Sequence, residues 1–208
     1  PALGDLNGDG CLDCVVASAD KKAYALSGKD GAVLWACGFV AGMAPDVVDL
    51  SVEDGAIPWG DETGGWVGSS PRLGDLNGDG CLDCVLGWDR KVYALSGEDG
   101  AVLWAYETGD WVRSSPALGD VNEDGCLDCV VGSDDQKVYA LSGKDGAVLW
   151  SYETGGRVES SPALGDLNGD GCLDCVVGSE DHKVYVLSGK YGAVLWRYET
   201  GGMVRSSP

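Results

Sequence analysis

The chain carries four copies of a nine-residue loop that is rich in oxygen-bearing side chains. The first copy runs from Asp5 to Asp13, and the others span 75–83, 120–128 and 166–174. Each has Asp, Asn, Asp and Asp at its first, third, fifth and ninth positions, and a Cys at the seventh offers its backbone carbonyl. Calcium prefers six to eight hard oxygen ligands, so the pattern predicts about four calcium ions. The predicted ligands are Asp5, Asn7, Asp9, Cys11, Asp13, Asp75, Asn77, Asp79, Cys81, Asp83, Asp120, Asn122, Asp124, Cys126, Asp128, Asp166, Asn168, Asp170, Cys172 and Asp174.

A metal-free turn is the alternative for any single copy, because Asp, Asn and Gly are also common in turns that bind no ion. Four copies in the same register favour calcium. Twelve Asp residues belong to the loops. Each calcium ion brings two positive charges, so four ions would change the formal net charge from −20 to about −12. Without them, we expect the clustered carboxylates to repel one another and loosen the fold.

The loops recur within a longer repeat. Ser-Ser-Pro ends at Pro71, Pro116, Pro162 and Pro208, which are 45, 46 and 46 residues apart. Each unit contains short β-branched or aromatic segments bounded by turn residues, such as residues 137–141, and nothing long and helical. Four strands in about 46 residues predict a propeller blade, so the fold class is an all-β β-propeller.

The segment after the first unit is a damaged repeat. Residues 50–59 align with residues 95–104, and Glu62-Thr63-Gly64 follows in register. We predict a single repeat domain of about five units, four of them complete four-stranded blades and one truncated and without a calcium loop. The truncated unit forms either a three-stranded blade or a loop. The predicted units are 1–36, 37–70, 71–115, 116–161 and 162–208.

These residues resemble two known repeat families. Residues 165–178, Gly-Asp-Leu-Asn-Gly-Asp-Gly-Cys-Leu-Asp-Cys-Val-Val-Gly, look like the FG-GAP repeat of integrin alpha-subunit propellers. That resemblance implies calcium on outer loops. Residues 140–150, Ala-Leu-Ser-Gly-Lys-Asp-Gly-Ala-Val-Leu-Trp, are similar to the tryptophan-docking repeat of quinoprotein dehydrogenases, in which Ala, Asp, Gly and Trp lock neighbouring blades. Ser142 stands where that family has Asp, and the fourth unit has Val186 in place of Ala.

Eight of the nine cysteines form C-x-x-C pairs, which predict a disulfide inside each loop motif and an oxidising compartment. The alternatives are thiolate metal binding or a redox pair, since the same spacing serves both. Covalent haem is excluded because Val, never His, follows the second Cys. Cys37 lacks a counterpart and is free, reduced or intermolecular. The candidate disulfide residues are Cys11, Cys14, Cys81, Cys84, Cys126, Cys129, Cys172 and Cys175.

The composition restricts the setting of the protein. The 34 acidic residues against 14 basic ones argue against a phosphate-backbone partner, so we expect no nucleic acid. No apolar run approaches the length of about 18 residues that a membrane span needs. No leader pattern is recognisable, and we expect a mature or excised chain. An extracellular or cell-surface location fits these features.

Catalysis finds little support in the sequence. The only His, His182, lies in a variable turn and is expected to be exposed, and no unit differs from its neighbours in a way that builds a catalytic site. A quinone-dependent dehydrogenase is disfavoured because the chain is short and uniform. Trp88 replaces Ser133 and Ser179 in a turn, so we expect it to be an exposed contact residue. The aromatic residues that form either a binding rim or interblade packing are Trp66, Tyr106, Trp111, Tyr152 and Tyr198.

The two ends of the chain are in phase with the repeat. Residues 203–208 run into residues 1–5 as one divided strand. Pairing within one chain would close a ring, and pairing between chains would generate a ring or a filament. The leading hypothesis is a non-catalytic extracellular calcium-binding propeller that acts as a structural or adhesive scaffold, with head-to-tail self-assembly. The alternative is a ligand-binding module of a larger secreted or cell-surface protein, and an enzyme is third.

Overall fold

The computed structural model describes residues 1–18, 20–38, 46–47 and 69–208, and these residues form seventeen β-strands and no α-helix. Blade 1 comprises β1 (Ala2–Gly4), β2 (Asp13–Ser18), β3 (Lys22–Leu26) and β4 (Val33–Gly38), with β5 (Asp46–Val47) added at its outer edge. Blade 2 comprises β6 (Arg72–Gly74), β7 (Asp83–Trp88), β8 (Lys91–Leu95) and β9 (Val102–Glu107). Blade 3 comprises β10 (Ala117–Gly119), β11 (Asp128–Gly132), β12 (Lys137–Leu141) and β13 (Val148–Glu153). Blade 4 comprises β14 (Ala163–Gly165), β15 (Asp174–Ser179), β16 (Lys183–Ser188) and β17 (Val194–Glu199).

Every blade is an antiparallel meander in which consecutive strands pair. The short first strands of neighbouring blades contact one another, so they form the inner edge of the array. The nine-residue loops connect the first and second strands, and the Ser-Gly turns connect the third and fourth. Both connections therefore lie at the same end of a blade. The four complete four-stranded blades predicted from the sequence are confirmed.

The hydrophobic core lies between blades. Three clusters of buried side chains join blade 1 to blade 2, blade 2 to blade 3, and blade 3 to blade 4. Strand residues such as Val130 and Val138 are fully buried because both faces of an inner blade are covered. Each such aliphatic side chain contributes about 1.5–3 kcal/mol by leaving water. Stability therefore depends on blade-to-blade packing.

A tryptophan on the fourth strand of blades 1, 2 and 3 docks on the next blade. The Trp35 Nε1 donates to the Gly97 carbonyl oxygen at 2.8 Å, and the Trp104 Nε1 donates to the Gly143 carbonyl oxygen at 2.5 Å. Glycine is required at this receptor, since a Cβ on Gly143 would lie 1.8 Å from the Leu127 carbonyl oxygen. The docking implied by the quinoprotein-like repeat is present in these residues.

Blades 1 and 2 contact each other directly. Trp35 and Gly97 are 62 residues apart, whereas Trp104 and Gly143 are 39 apart. The additional residues between blades 1 and 2 therefore do not separate them. The predicted truncated unit at 37–70 lies largely outside the described residues, so that assignment stays a prediction.

The predicted exposure of Trp88 is wrong. Its side chain is only 4% exposed and belongs to the cluster between blades 1 and 2. The equivalent Ser133 and Ser179 are also fully buried, because this position lies beneath the connection that leaves the neighbouring fourth strand. A turn position in sequence is thus an interior position in the assembled blades.

The interblade interpretation of the tyrosines is confirmed at two places. Tyr106 packs on Tyr139 of the next blade with ring centroids 5.4 Å apart, and Tyr152 packs on Tyr185 at 5.5 Å. Tilted aromatic pairs at this distance are favourable. Trp66 lies outside the described residues, and Trp111 is half-buried.

Candidate calcium loops

Each nine-residue loop folds around its own first carboxylate. The Asp5 Oδ1 accepts the backbone N–H of Gly8 at 2.8 Å, and its Oδ2 accepts that of Gly10 at 2.9 Å. Both glycines have positive φ, 72° and 83°, which residues with a side chain rarely adopt. The loop is therefore closed by side chain-to-backbone bonds that point oxygen atoms inward.

The third and fifth positions add further inward oxygens. The Asn7 Oδ1 accepts the N–H of Asp9 at 3.0 Å, and the Asp9 Oδ1 accepts the N–H of Cys11 at 2.8 Å. These bonds fix the side-chain rotamers without using every lone pair, because a carboxylate oxygen has two. The same pattern recurs at the equivalent residues of loops 75–83, 120–128 and 166–174.

The ninth position is buried at the base of the loop. The Asp13 Oδ2 accepts the Leu6 N–H at 2.9 Å, and its Oδ1 accepts the Gly28 N–H at 3.0 Å. Its side chain is fully buried, as are those of the equivalent Asp83 and Asp128. In the fourth loop, the Asp174 Oδ1 is buried and has no hydrogen-bond partner. A buried oxygen without a hydrogen-bond partner is energetically unfavourable, and a bound cation would offset that cost.

The electrostatics of the loops match that assignment. Burial raises the pKa of Asp128 to about 6, and it also raises the pKa of Asp83. Backbone hydrogen bonds from the seventh residue lower the pKa of Asp79 and of Asp170. The same cause lowers the pKa of Asp124. Loops 75–83 and 120–128 thus each combine one carboxylate that is costly to ionise with one that is readily ionised, and a bound cation would favour the ionised form of both.

No three His, Cys, Asp or Glu side chains converge on one point within the residues that the structure describes. Each loop has three Asp carboxylates, to which loop 120–128 adds Glu123. The ninth-position carboxylate is turned toward backbone donors at the base. A calcium coordination shell would therefore need the side chains of the first, third, fifth and ninth positions together with the Cys carbonyl. The oxygen-only side-chain set and the orphaned Asp174 Oδ1 fit calcium, which favours hard oxygen ligands.

The third loop differs from the others by an acidic residue. Glu123 replaces the Gly found at this position and has φ of 63°. Its carboxylate accepts from the Lys190 Nζ at 2.5 Å and from the Cys172 Sγ at 3.0 Å, both on blade 4. The loops of adjacent blades are thereby joined at the surface.

The two cysteines of each motif lie in different environments. No disulfide joins any of the nine cysteines, all of which are within the described ranges. Cys84, Cys129 and Cys175 are buried in the interblade clusters, and burial raises the pKa of each thiol. The adjacent Asp9 carboxylate raises the pKa of the Cys11 thiol on the loop surface. Protonated thiols are poor nucleophiles, which weighs against the redox-pair alternative, while the predicted disulfides stay a prediction.

Sequence reasoning missed a link between the loops and the docking tryptophans. The Gly97 N–H donates to the Asp83 Oδ1 at 3.2 Å, while its carbonyl accepts the Trp35 indole N–H. One glycine residue thus joins the base of a loop to the preceding blade. The recurring Ser-Gly dipeptide at 27–28, 96–97, 142–143 and 188–189 was the available signal.

The comparison with protein families identifies the repeat. Residues 120–177 match the FG-GAP-like repeat. The match runs from the third loop through β11, β12 and β13 of blade 3 to the fourth loop and into β15. It therefore includes the hairpin of blade 3 that carries Trp150.

Solved structures agree on a β-propeller fold. BamB from Moraxella catarrhalis has a TM-score of 0.58 and 19% identity, over 95% of this chain and 47% of that one. The V. cholerae biofilm matrix protein Bap1 has a TM-score of 0.65 and 24% identity, over 98% of this chain and 29% of that one. The chain thus spans less than half the length of either structure. No curated protein matches the sequence.

Two further expectations can be compared with the structure. His182 is exposed in the turn between β15 and β16, as expected, and its carbonyl accepts the Thr200 N–H. Within the described ranges, no helix has the length and apolar character to cross a lipid bilayer.

Proposed function

We propose that this protein is a non-catalytic, extracellular calcium-binding β-propeller that serves as a structural or adhesive surface scaffold. The observation that carries the proposal is the fourfold repetition of an oxygen-lined loop whose ninth residue is buried against the blade. Asp5, Asn7, Asp9 and Asp13, with the Cys11 carbonyl, would hold the first ion, and the equivalent residues the other three. Bound calcium would neutralise carboxylates that otherwise repel.

The scaffold role is supported by the uniformity of the blades. An enzyme requires one place where a nucleophile, a base and an orienting group meet, and near-identical units provide no such asymmetry. The similarity to a biofilm matrix protein is consistent with a role outside the cell. The net charge of −20 suits a calcium-rich surrounding, where the loops are neutralised.

A second candidate function is a ligand-binding module within a larger secreted or cell-surface protein. The chain covers only 47% of BamB and 29% of Bap1, which favours this alternative. Its ligand would then contact the loop surface, and calcium would have the same stabilising role. The measurement that separates the two is whether the protein assembles with itself.

The calcium assignment is tested by the number of ions bound. Replacing Asp9 with Ala removes the fifth-position oxygen and the acceptor for the Cys11 N–H. We expect calorimetric titration to give four sites for the native protein and three for Asp9→Ala, with dissociation constants of roughly 0.1–1 mM.

Asp99→Ala provides the matched control. Asp99 is an exposed Asp that also accepts a backbone N–H, from Ala101 at 2.9 Å, but it lies outside the nine-residue loops. Asp99→Ala removes the same charge and a similar hydrogen bond, so four calcium sites should remain. Four sites in Asp9→Ala would contradict the ligand assignment.

A further inference from the structure

One face of blade 4 is exposed, although its side chains are equivalent to those that are buried between the other blades. Trp196 is 51% exposed, whereas Trp35, Trp104 and Trp150 are 3–8% exposed. Leu167 is 48% exposed, whereas its equivalent Leu76 is 1% exposed. Tyr198 is also exposed. We call Leu167, Trp196 and Tyr198 the trailing face, and no part of the chain that the structure describes covers it.

Blade 1 has an exposed face at the other end of the array, and its residues are equivalent to those with which blades 2 to 4 contact the preceding blade. Leu3 and Leu12 are 65% and 64% exposed, whereas the equivalent Leu73 and Leu82 are partly buried. Leu73 and Leu82 lie against Gly4 of the preceding blade. We call Leu3, Leu12, Gly28 and Gly31 the leading face.

In the three internal interfaces, the tryptophan of one blade packs on glycines of the next blade. The Trp104 ring lies against Gly146 of the next blade, while its indole N–H bonds to the Gly143 carbonyl. Gly31 and Gly28 hold the equivalent positions in blade 1, and the space beside Gly31 is open among the described residues. On the trailing face, the space beside Gly165 is open. The equivalent Gly119 of blade 3 lies against Leu164 and Leu173 of blade 4.

The hydrogen bond that joins neighbouring blades also has its donor on one exposed face and its acceptor on the other. The Gly109 N–H donates to the Asp135 Oδ2 of the next blade, and the same carboxylate accepts the Tyr139 hydroxyl. In blade 1, the Asp20 carboxylate already accepts the Tyr24 hydroxyl at 2.6 Å. Gly201 of blade 4 is the equivalent of Gly109. The acceptor and the donor thus lie at opposite ends of the described array.

We propose that the trailing face of one copy binds the leading face of a second copy as a fourth blade-to-blade contact, of the same type as the three internal ones. The Trp196 indole N–H would donate to the partner copy's Gly28 carbonyl, and Leu3 and Leu12 of that copy would pack against Gly165. The proposal rests on the scaffold function and names its interface.

The complementarity points to a second copy as the occupant. Each face lacks the other's side chains, and the sequence of this chain supplies both. A face of this kind cannot pair with itself, because both partners would present a tryptophan and neither a glycine receptor. The contact is therefore heterologous and generates a closed ring or a longer array. A ring of two copies is consistent with the chain matching 47% of BamB.

The interface is tested by light scattering of the full chain in millimolar calcium. We expect a species larger than the 21.5 kDa monomer. Trp196→Ala should weaken the association by about 30-fold or more, since a buried tryptophan is a typical interface hot spot. Tyr191→Ala is the matched control: Tyr191 is an exposed aromatic residue of blade 4, and its equivalents Asp99 and Asp145 are exposed in the inner blades. Association should be retained in Tyr191→Ala.

A mixing experiment tests the polarity of the contact. Trp196→Ala damages only the trailing face, and Leu3→Asp, on β1 outside the calcium loop, damages only the leading face. Each variant should be monomeric alone, and an equimolar mixture should form a dimer through the one intact pair of faces. A monomeric native protein, an assembling Trp196→Ala variant or a mixture without dimers would overturn the inference. Calcium titration of the same samples reports the proposed function independently, because four bound ions in a monomer would leave the calcium assignment intact.

Discussion

Trp104→Ala is expected to destabilise the protein by about 3–5 kcal/mol, the usual cost of truncating a large buried aromatic side chain. Trp104 is almost fully buried between blades 2 and 3, and its indole N–H bonds to the Gly143 carbonyl. The substitution leaves a cavity beside Gly146 and an unpaired buried acceptor. Urea unfolding followed by tryptophan fluorescence and circular dichroism measures the loss.

Leu103→Ala is the comparison for this result. Leu103 precedes Trp104 on β9 and is 37% exposed, so its truncation should cost less than about 1 kcal/mol. Equal losses for the two variants would show that the blades are not held by the docked tryptophan.

Removal of calcium is expected to have a comparable or larger effect. A site filled to about a hundred times its dissociation constant adds about 2.7 kcal/mol, so four sites add on the order of 10 kcal/mol. Domains of this kind have total stabilities of about 5–15 kcal/mol. We therefore expect chelation to lower the melting temperature steeply or to unfold the chain. Thermal unfolding in calcium and in chelator measures this effect.

Magnesium provides the control for calcium removal. It demands near-octahedral geometry and retains its waters, so it should replace calcium poorly in a loop of side-chain oxygens. Recovery with calcium but not with magnesium would support the assignment. An unchanged melting temperature in chelator would remove the stabilising role of the loops.

The two effects are coupled through the structure. Asp83 at the base of a loop accepts the Gly97 N–H, and the Gly97 carbonyl accepts the Trp35 indole. An ion that fixes Asp83 therefore also fixes the glycine receptor on which the preceding blade docks. Calcium would stabilise contacts between blades as well as the loop that binds it.

The fold was predictable because its signals are local and repeated. The recurrence of Ser-Ser-Pro every 45 or 46 residues and the turn residues around short β-branched segments led to four-stranded blades. The tryptophan docking followed from the resemblance of Ala140, Gly146 and Trp150 to the tryptophan-docking repeat. A single unit with the same residues would have left helix and strand harder to distinguish.

The features that sequence could not give depend on neighbouring blades. Trp88 was predicted to lie in a turn, but it is the last residue of β7 and is buried in the cluster between blades 1 and 2. The direct contact of blades 1 and 2 depends on a hydrogen bond between residues 62 positions apart. Asp13 was predicted to be an oxygen ligand, but its role as the acceptor for the Gly28 N–H requires the third and fourth strands to be in place.

The most direct measurement is a crystal structure in calcium with anomalous scattering recorded at a wavelength where calcium contributes. The account predicts four anomalous peaks, one in each nine-residue loop, with the Asp, Asn and Asp side chains of the first, third and fifth positions around each ion. Loops that are ordered but lack anomalous density at saturating calcium would contradict it.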